Sequence, residues 1–171
     1  MPVRQESDTS LSEKQVVLTS AGLRRIEDEL HQLQTVRRHE VADLIRQAKD
    51  LGDVAENPEY ETAKTEQAFL EGRISELKAI LRTAIVIEDS DVRTDVCSFG
   101  AVITVRDLDE EEDWDFTLVG SFEADPDADR ISNESPIGEA IVGKKVGTQV
   151  TVRTPGGVLR LEVIAIRRQD E

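Results

Sequence analysis

Apolar side chains return every three or four residues through the first half of the chain, and every second residue through much of the stretch beyond residue 84. Leu23, Ile26, Leu30 and Leu33, and then Val41, Leu44, Ala48 and Leu51, keep a 3-4-3 rhythm broken once near Arg37. That rhythm predicts one long amphipathic helix over residues 20–51. Downstream, Tyr60, Ala63, Gln67, Leu70, Ile74, Leu77, Leu81 and Ala84 hold the alternating spacing without a break, a narrow seam of the coiled-coil kind. Two such seams joined by a short turn can only bury each other, as an antiparallel hairpin. Thr19 or Ser20 can cap the first helix, Gly52 ends it, and Asn57 with Pro58 forms an N-cap and first-turn pair for the second. At about 1.5 Å per residue, the roughly 32 residues of the first helix span about 48 Å, so the turn stands at the end of a stalk.

Past residue 84 the pattern becomes extended. Ile85-Val86-Ile87 leads into the polar linker Glu88-Asp89-Ser90-Asp91, which puts a domain boundary near Ser90. Residues 101–105 and 114–119 read as strands joined through an acidic turn at 109–113. Ser135-Pro136 opens a short helix that runs through Ile141 and stops at Gly143. Residues 150–153 and 158–164 flank Pro155-Gly156-Gly157, a hairpin signal. The fold class is therefore α+β: a long N-terminal antiparallel α-helical coiled-coil hairpin, then a small antiparallel β domain with a short helix. Residues 1–15 form a flexible tail without periodicity, residues 16–90 the hairpin with its tip at 50–61, and residues 91–171 the β domain.

Composition narrows the function classes. With 171 residues, 38% hydrophobic and 33% charged, the chain has room for the hairpin and one small domain with a thin core. A net charge of −15 argues against general binding to duplex nucleic acid, which needs a field of Lys and Arg, so any contact with nucleic acid must be local. Residues 20–84 carry 13 acids against 10 bases, whereas residues 107–129 carry 11 acids and no base. The single Cys97 can form neither an internal disulfide nor a thiolate metal site and is expected as a packing residue. No apolar run is long enough for a signal peptide or a membrane span, which points to a cytoplasmic protein without membrane contact. His31 and His39 lie roughly 12 Å apart along one helix, too far to share a metal. Trp114 is expected to anchor the β core. The glycines at 156 and 157 serve a turn, since no helix follows to make a phosphate cradle.

The candidate chemistry sits at the tip. Residues 50–61 hold five acids, Asp50, Asp53, Glu56, Glu59 and Glu61, and no base. Asp53 and Glu56 stand three apart, a separation that lets two carboxylates converge in a helical turn. Mg²⁺ usually takes only one or two protein carboxylates and keeps waters and phosphate oxygens, so two acids suffice for part of a metal site. The spacing alone fits a solvated turn and helix cap equally well, since acids near a helix N-terminus stabilise it by about 0.3–1 kcal/mol. Lys49 and Lys64 flank the tip on opposite arms, and by themselves read as ordinary surface cations.

Taken together the motifs resemble those of a known family, the Gre transcript-cleavage factors of bacterial RNA polymerase. The likeness is carried by Leu18-Thr19, by the tip Gly52-Asp53-Val54-Ala55-Glu56-Asn57-Pro58-Glu59-Tyr60, and by Phe69-Leu70-Glu71-Gly72-Arg73-Ile74. In the second half it is carried by Ile131-Ser132-Asn133-Glu134-Ser135-Pro136-Ile137-Gly138, Gly143-Lys144-Lys145-Val146-Gly147 and Thr154-Pro155-Gly156-Gly157. The resemblance covers about residues 16–168. It implies that the hairpin enters the secondary channel of RNA polymerase while an FKBP-like C-terminal domain docks at the channel rim, with loops 121–125 and 132–137 available for that contact. It implies no prolyl isomerase activity, because a fold does not by itself specify a site. The implied target is a backtracked complex, whose extruded RNA 3′ end is cut by the polymerase with help from the factor; the chain would not be an enzyme in its own right.

In that scheme Asp53 and Glu56 are the catalytic pair and the metal ligands, helping to hold a second Mg²⁺ shared with the polymerase and to orient the attacking water. The isolated protein, a monomer when free, is expected to bind no metal of its own. Asp53 as principal ligand and Glu56 as aid to water positioning or proton removal is the expected division, which the sequence does not separate. Lys49 and Lys64 match positions that contact the nascent RNA, a small basic patch suited to short extruded RNA. Gly52, Asn57, Pro58 and Tyr60 are expected to shape the tip. Val54-Ala55 departs from many relatives, which carry Leu and a polar or charged residue there. Two other readings stay open: a channel-binding inhibitor without cleavage, and a non-catalytic scaffold or chaperone in which the tip acids are dispensable.

Overall fold

The computed structural model of the protein describes residues 15–52 and 54–170. Residues 1–14, which make up nearly all of the expected tail, lie outside the described residues, as do Asp53 and Glu171. The chain begins with a strand, β1 (Val16–Thr19), and enters helix α1 (Ser20–Gln32). A π-helical turn (Leu33–Arg37) separates α1 from α2 (Arg38–Asp50). After the tip, α3 (Pro58–Thr83) returns and runs into β2 (Ala84–Ile87). β1 pairs with β2 in parallel, Val16 opposite Ala84 and Thr19 opposite Ile87, so a two-stranded ladder closes the base of the hairpin. The sequence pattern does not announce β1, because four residues are too few to show alternation and gain strand character only when β2 comes alongside.

The two arms share two apolar clusters. Leu18, Ile26, Leu77 and Ile80 fill the base, and Val41, Leu70 and Ile74 fill the middle, with Leu30, Leu33 and Ile45 packed against them. The predicted seam holds in α1 and α3, and in α2 it holds at Val41 and Ala48 but not at Leu44 and Leu51. There Val41, Ile45 and Ala48 face inward, while Leu44 is 42% exposed and Leu51 70% exposed. The π turn takes one extra residue into the helix ahead of α2, and within α2 Ile45 takes the place of Leu44 in the stripe between Val41 and Ala48. The broken rhythm near Arg37 marks that insertion. Arg37 occupies the seam position itself and pairs across the hairpin with Glu66, and along its own helix with Glu40 at 2.8 Å. Paired charges also link the arms nearer the base, Arg38 to Glu71 and Arg73 to Glu29.

The C-terminal half is a five-stranded sheet in the order β5-β4-β3-β7-β6, formed by β3 (Val102–Asp107), β4 (Asp113–Val119), β5 (Arg130–Ser132), β6 (Gln149–Thr154) and β7 (Gly157–Arg167). It is antiparallel apart from the short edge strand β5, which lies parallel to β4 and is not legible in the sequence as three residues after an acidic loop. β6 and β7 form the expected hairpin, with Thr154 opposite Gly157 across Pro155-Gly156. Helix α4 (Pro136–Ile141) starts at Ser135, whose hydroxyl accepts from the Gly138 N–H at 3.0 Å. Ile103, Val105, Phe116, Leu118, Ile141, Leu161 and Val163 build the core, and Cys97 is buried in it. Phe116, not Trp114, is the buried aromatic; Trp114 is half-buried, with its ring 5.3 Å from that of Phe116.

Candidate functional site at the hairpin tip

The tip is built by a helix end, a glycine and a capping side chain. The last turn of α2 tightens, with the Leu51 N–H donating to the Ala48 carbonyl at 3.4 Å and the Gly52 N–H to the Lys49 carbonyl at 3.5 Å. Gly52 then takes φ +132, a backbone conformation that a residue with a Cβ rarely adopts. A 3₁₀ turn (Val54–Glu56) carries the chain over to Asn57. The Asn57 Oδ1 accepts from the N–H groups of Glu59 at 3.1 Å and Tyr60 at 3.4 Å, capping α3, and Pro58 takes the first helical position. Its Nδ2 donates to the Ala48 carbonyl at 2.7 Å, in the last turn of α2, where the Leu51 N–H makes only the long bond. One side chain therefore closes both helix ends and ties the arms together.

The remaining candidates surround this closure. Asp53 lies outside the described residues. Glu56 is exposed and, among the described residues, its carboxylate has no ion-pair partner. The Lys49 ammonium lies 6.0 Å from the centroid of the half-buried Tyr60 ring, at the outer limit of a cation–π contact. Lys64 turns along its own helix and donates to the Gln67 Oε1 at 2.9 Å. The structure thus brings Lys49 and Tyr60 together and leaves Lys64 one turn away, held by a neighbour it can exchange for another ligand at small cost. Among the described residues no group of three or more His, Cys, Asp or Glu side chains is arranged to hold a metal. The exposed Glu56 carboxylate offers hard oxygen donors of the kind Mg²⁺ takes, without, among the described residues, the further ligands that would enclose an ion.

Beside the tip, a groove of about 370 Å³ runs between the arms, lined by Leu44, Ala48, Leu51, Pro58, Thr62 and Ala63 among others. Phe69 continues this apolar flank at 77% exposure. Leu44 belongs to it because Ile45 takes the seam position between Val41 and Ala48, and Leu51 because it lies at the helix end. At the other end of the molecule the two loop segments expected to dock lie side by side, the Ser121 hydroxyl donating to the Glu134 carboxylate at 2.7 Å. Phe122 is half exposed there, but Glu123 turns inward and is buried, so it is withdrawn from that surface. His31 and His39 are both exposed.

The geometry is that of a slender helical stalk with exposed acids at its end, mounted on a β domain. Comparison with known proteins gives that description a family. Residues 16–86 match the family described as "Transcription elongation factor, N-terminal", and residues 92–168 match "Transcription elongation factor, GreA/GreB, C-term". Transcription elongation factor GreA of Alkaliphilus oremlandii is 48% identical over 158 residues, covering 92% of this chain and 99% of that protein. GreA of Caldanaerobacter subterraneus is 50% identical over 155 residues, covering 91% and 99%. Among solved structures, GreA factor homolog 1 of Thermus thermophilus is 29% identical, covers 90% of this chain and 99% of that one, and superposes with a TM-score of 0.42, too loosely to carry an argument. The chain belongs to the GreA/GreB family of transcription elongation factors. Among the described residues, no helix is long and apolar enough to cross a membrane.

Proposed function

We propose that the protein acts on RNA polymerase by inserting its hairpin into the secondary channel, where it stimulates cleavage of the nascent RNA 3′ end in backtracked complexes. The observation that supports this most directly is the tip itself: an exposed carboxylate turn, closed by Asn57 and carried at the end of a narrow hairpin in a chain of this family. A second Mg²⁺, when bound, supplies charge stabilisation to the attacking and bridging oxygens and acidifies a bound water. Asp53 and Glu56 would contribute part of its oxygen shell and accept a hydrogen bond from that water, the polymerase contributing the rest. Lys49 and Lys64 would offer cations to RNA phosphates, and Lys64 would have to leave Gln67 to do so. The β domain would dock at the channel rim through the loops that carry Phe122 and Ser135.

The test is stalled, backtracked polymerase given the factor and Mg²⁺, with 3′-labelled and 5′-labelled RNA followed in parallel. Cleavage that disappears in Asp53→Ala and in Glu56→Ala while polymerase binding persists is the expected result. Binding that only slows extension would make the protein an inhibitor of the same architecture. Full activity in both variants would remove the catalytic assignment.

A further inference from the structure

A buried carboxylate lies far from the tip, where the hairpin meets the β domain. Glu123, in the Ser121–Glu123 turn after β4, has a side chain only 2% exposed. Its Oε2 accepts from the Thr19 backbone N–H at 2.7 Å, and its Oε1 accepts from the Thr19 hydroxyl at 2.6 Å and from the Arg25 guanidinium at 3.1 Å. Thr19 is the N-cap of α1, its Oγ1 accepting from the Gly22 N–H at 3.0 Å. The carboxylate is therefore seated on the first turn of the hairpin's first helix, where free N–H groups and the helix dipole favour an anion. The chain is shaped around it: a Cβ on Gly22 would lie 2.1 Å from the Glu123 carboxyl carbon. Nearby, a Cβ on Gly120 would lie 2.3 Å from the Val17 carbonyl oxygen, so β1 and the end of β4 meet backbone to backbone.

We propose that Glu123 is a positioning residue that fixes the angle between hairpin and β domain, and through it the place of the tip; the functional half of this rests on the cleavage reading above. The directional bonds matter because of the lever they control. A stalk of roughly 31 residues at about 1.5 Å each turns a slack of about 5° at the base into about 4 Å at the tip. Misplacement of about 1 Å at a reacting centre can cost on the order of a hundredfold in rate. Exposed ion pairs between long side chains hold no such angle, whereas a desolvated carboxylate with two short bonds to the Thr19 N–H and hydroxyl has one seat.

The experiment measures angle and activity separately. Spin labels at Thr65→Cys on α3 and Thr151→Cys on β6 report the distance distribution between the two parts in the free full chain, the buried Cys97 remaining unlabelled. Glu123→Ala and Gly22→Ala should each broaden that distribution and lower the saturating cleavage rate by at least about tenfold, while the concentration giving half-maximal stimulation moves by less than about threefold. The double variant should be no worse than Glu123→Ala, since the added methyl then has no carboxylate to strike. Glu123→Gln keeps the shape and an acceptor for the Thr19 N–H and should recover part of the rate. If Glu123→Ala loses helix by circular dichroism, Gly22→Ala and Glu123→Gln carry the comparison. Distributions that stay narrow in the variants, or that broaden with the rate unchanged, overturn the proposal. Should the wild-type chain give no cleavage, the proposed function fails, and the distance distributions still uphold or overturn the interdomain lock by themselves.

Discussion

Replacing Asn57 with alanine removes one side chain that serves both arms of the tip, so its cost can be worked from two bonds. Losing the N-cap of α3 costs about 1 kcal/mol, and losing the Nδ2 bond to the Ala48 carbonyl costs about another 1 kcal/mol net. A sum of about 2 kcal/mol is small beside the roughly 5–15 kcal/mol that holds a domain folded, so the chain stays folded while the tip opens more often. At about 1.4 kcal/mol per tenfold, amide exchange at Glu59 and Tyr60 should speed up by about 30-fold. The melting midpoint should fall by no more than about 4–8 °C.

The two bonds can be separated. Asn57→Asp keeps the acceptor that caps α3 and adds charge the helix N-terminus favours, but it sets a carboxylate against the Ala48 carbonyl where a donor stood. Protection of Glu59 and Tyr60 should therefore return in part, by the cap's share of about fivefold, and transcript cleavage should not. Unchanged exchange at those two amides in Asn57→Ala would refute the capping argument, and wild-type cleavage by Asn57→Asp would refute the role of the tie.

Two further substitutions and one titration probe the packing. Ile45→Ala should destabilise the protein by about 1–3 kcal/mol in urea unfolding while Leu44→Ala stays within about 0.5 kcal/mol, the reverse of what the unbroken heptad pattern predicts. Burial pushes the Cys97 thiol from its ordinary value near 9 up to about 11, so it should resist alkylation at pH 8 until the chain unfolds. The sign for stability comes from proton counting: between pH 9 and pH 11 the folded chain keeps a proton that the unfolded chain has released, so stability falls as pH rises through that window. Urea midpoints of the wild type and Cys97→Ala across that range should differ in slope.

Repetition is what makes an element legible in this sequence. The α3 seam is eight positions at regular spacing, and Ala63, Leu70, Ile74 and Leu77 are all buried. Asn57-Pro58 and Ser135-Pro136 announce helix starts because their chemistry is local, and both serve as written. Features that depend on a distant partner are silent. β1 exists by virtue of β2, and β5 by virtue of β4. Glu123 reads as one more acid in a run of eleven without a base, and nothing within that run marks it, with Asp107, as one of the two that are buried. Leu44 and Leu51 illustrate a third case, in which positions that fit the repeat stay exposed, Ile45 taking the place of Leu44 between Val41 and Ala48. At the candidate site the acids and the cap are legible, whereas the second bond of Asn57 is not, since its acceptor belongs to the other arm.

The two kinds of contact do different work along the hairpin. An apolar seam is non-directional: it fixes that α1 and α2 lie against α3, and tolerates rotation and slippage at modest cost. Delivering carboxylates to a distant centre needs three quantities the seam leaves loose: the angle at which the stalk leaves its base, the phase of its arms, and the closure of its tip. Each is set here by a single feature with defined geometry. Glu123 seated on Thr19 addresses the angle, the π turn at Leu33–Arg37 with its Arg37–Glu66 pair sets the phase, and Asn57 on Ala48 closes the tip. Loss of tip function should therefore be obtainable without loss of fold at three places, two of them far from any acid of the tip.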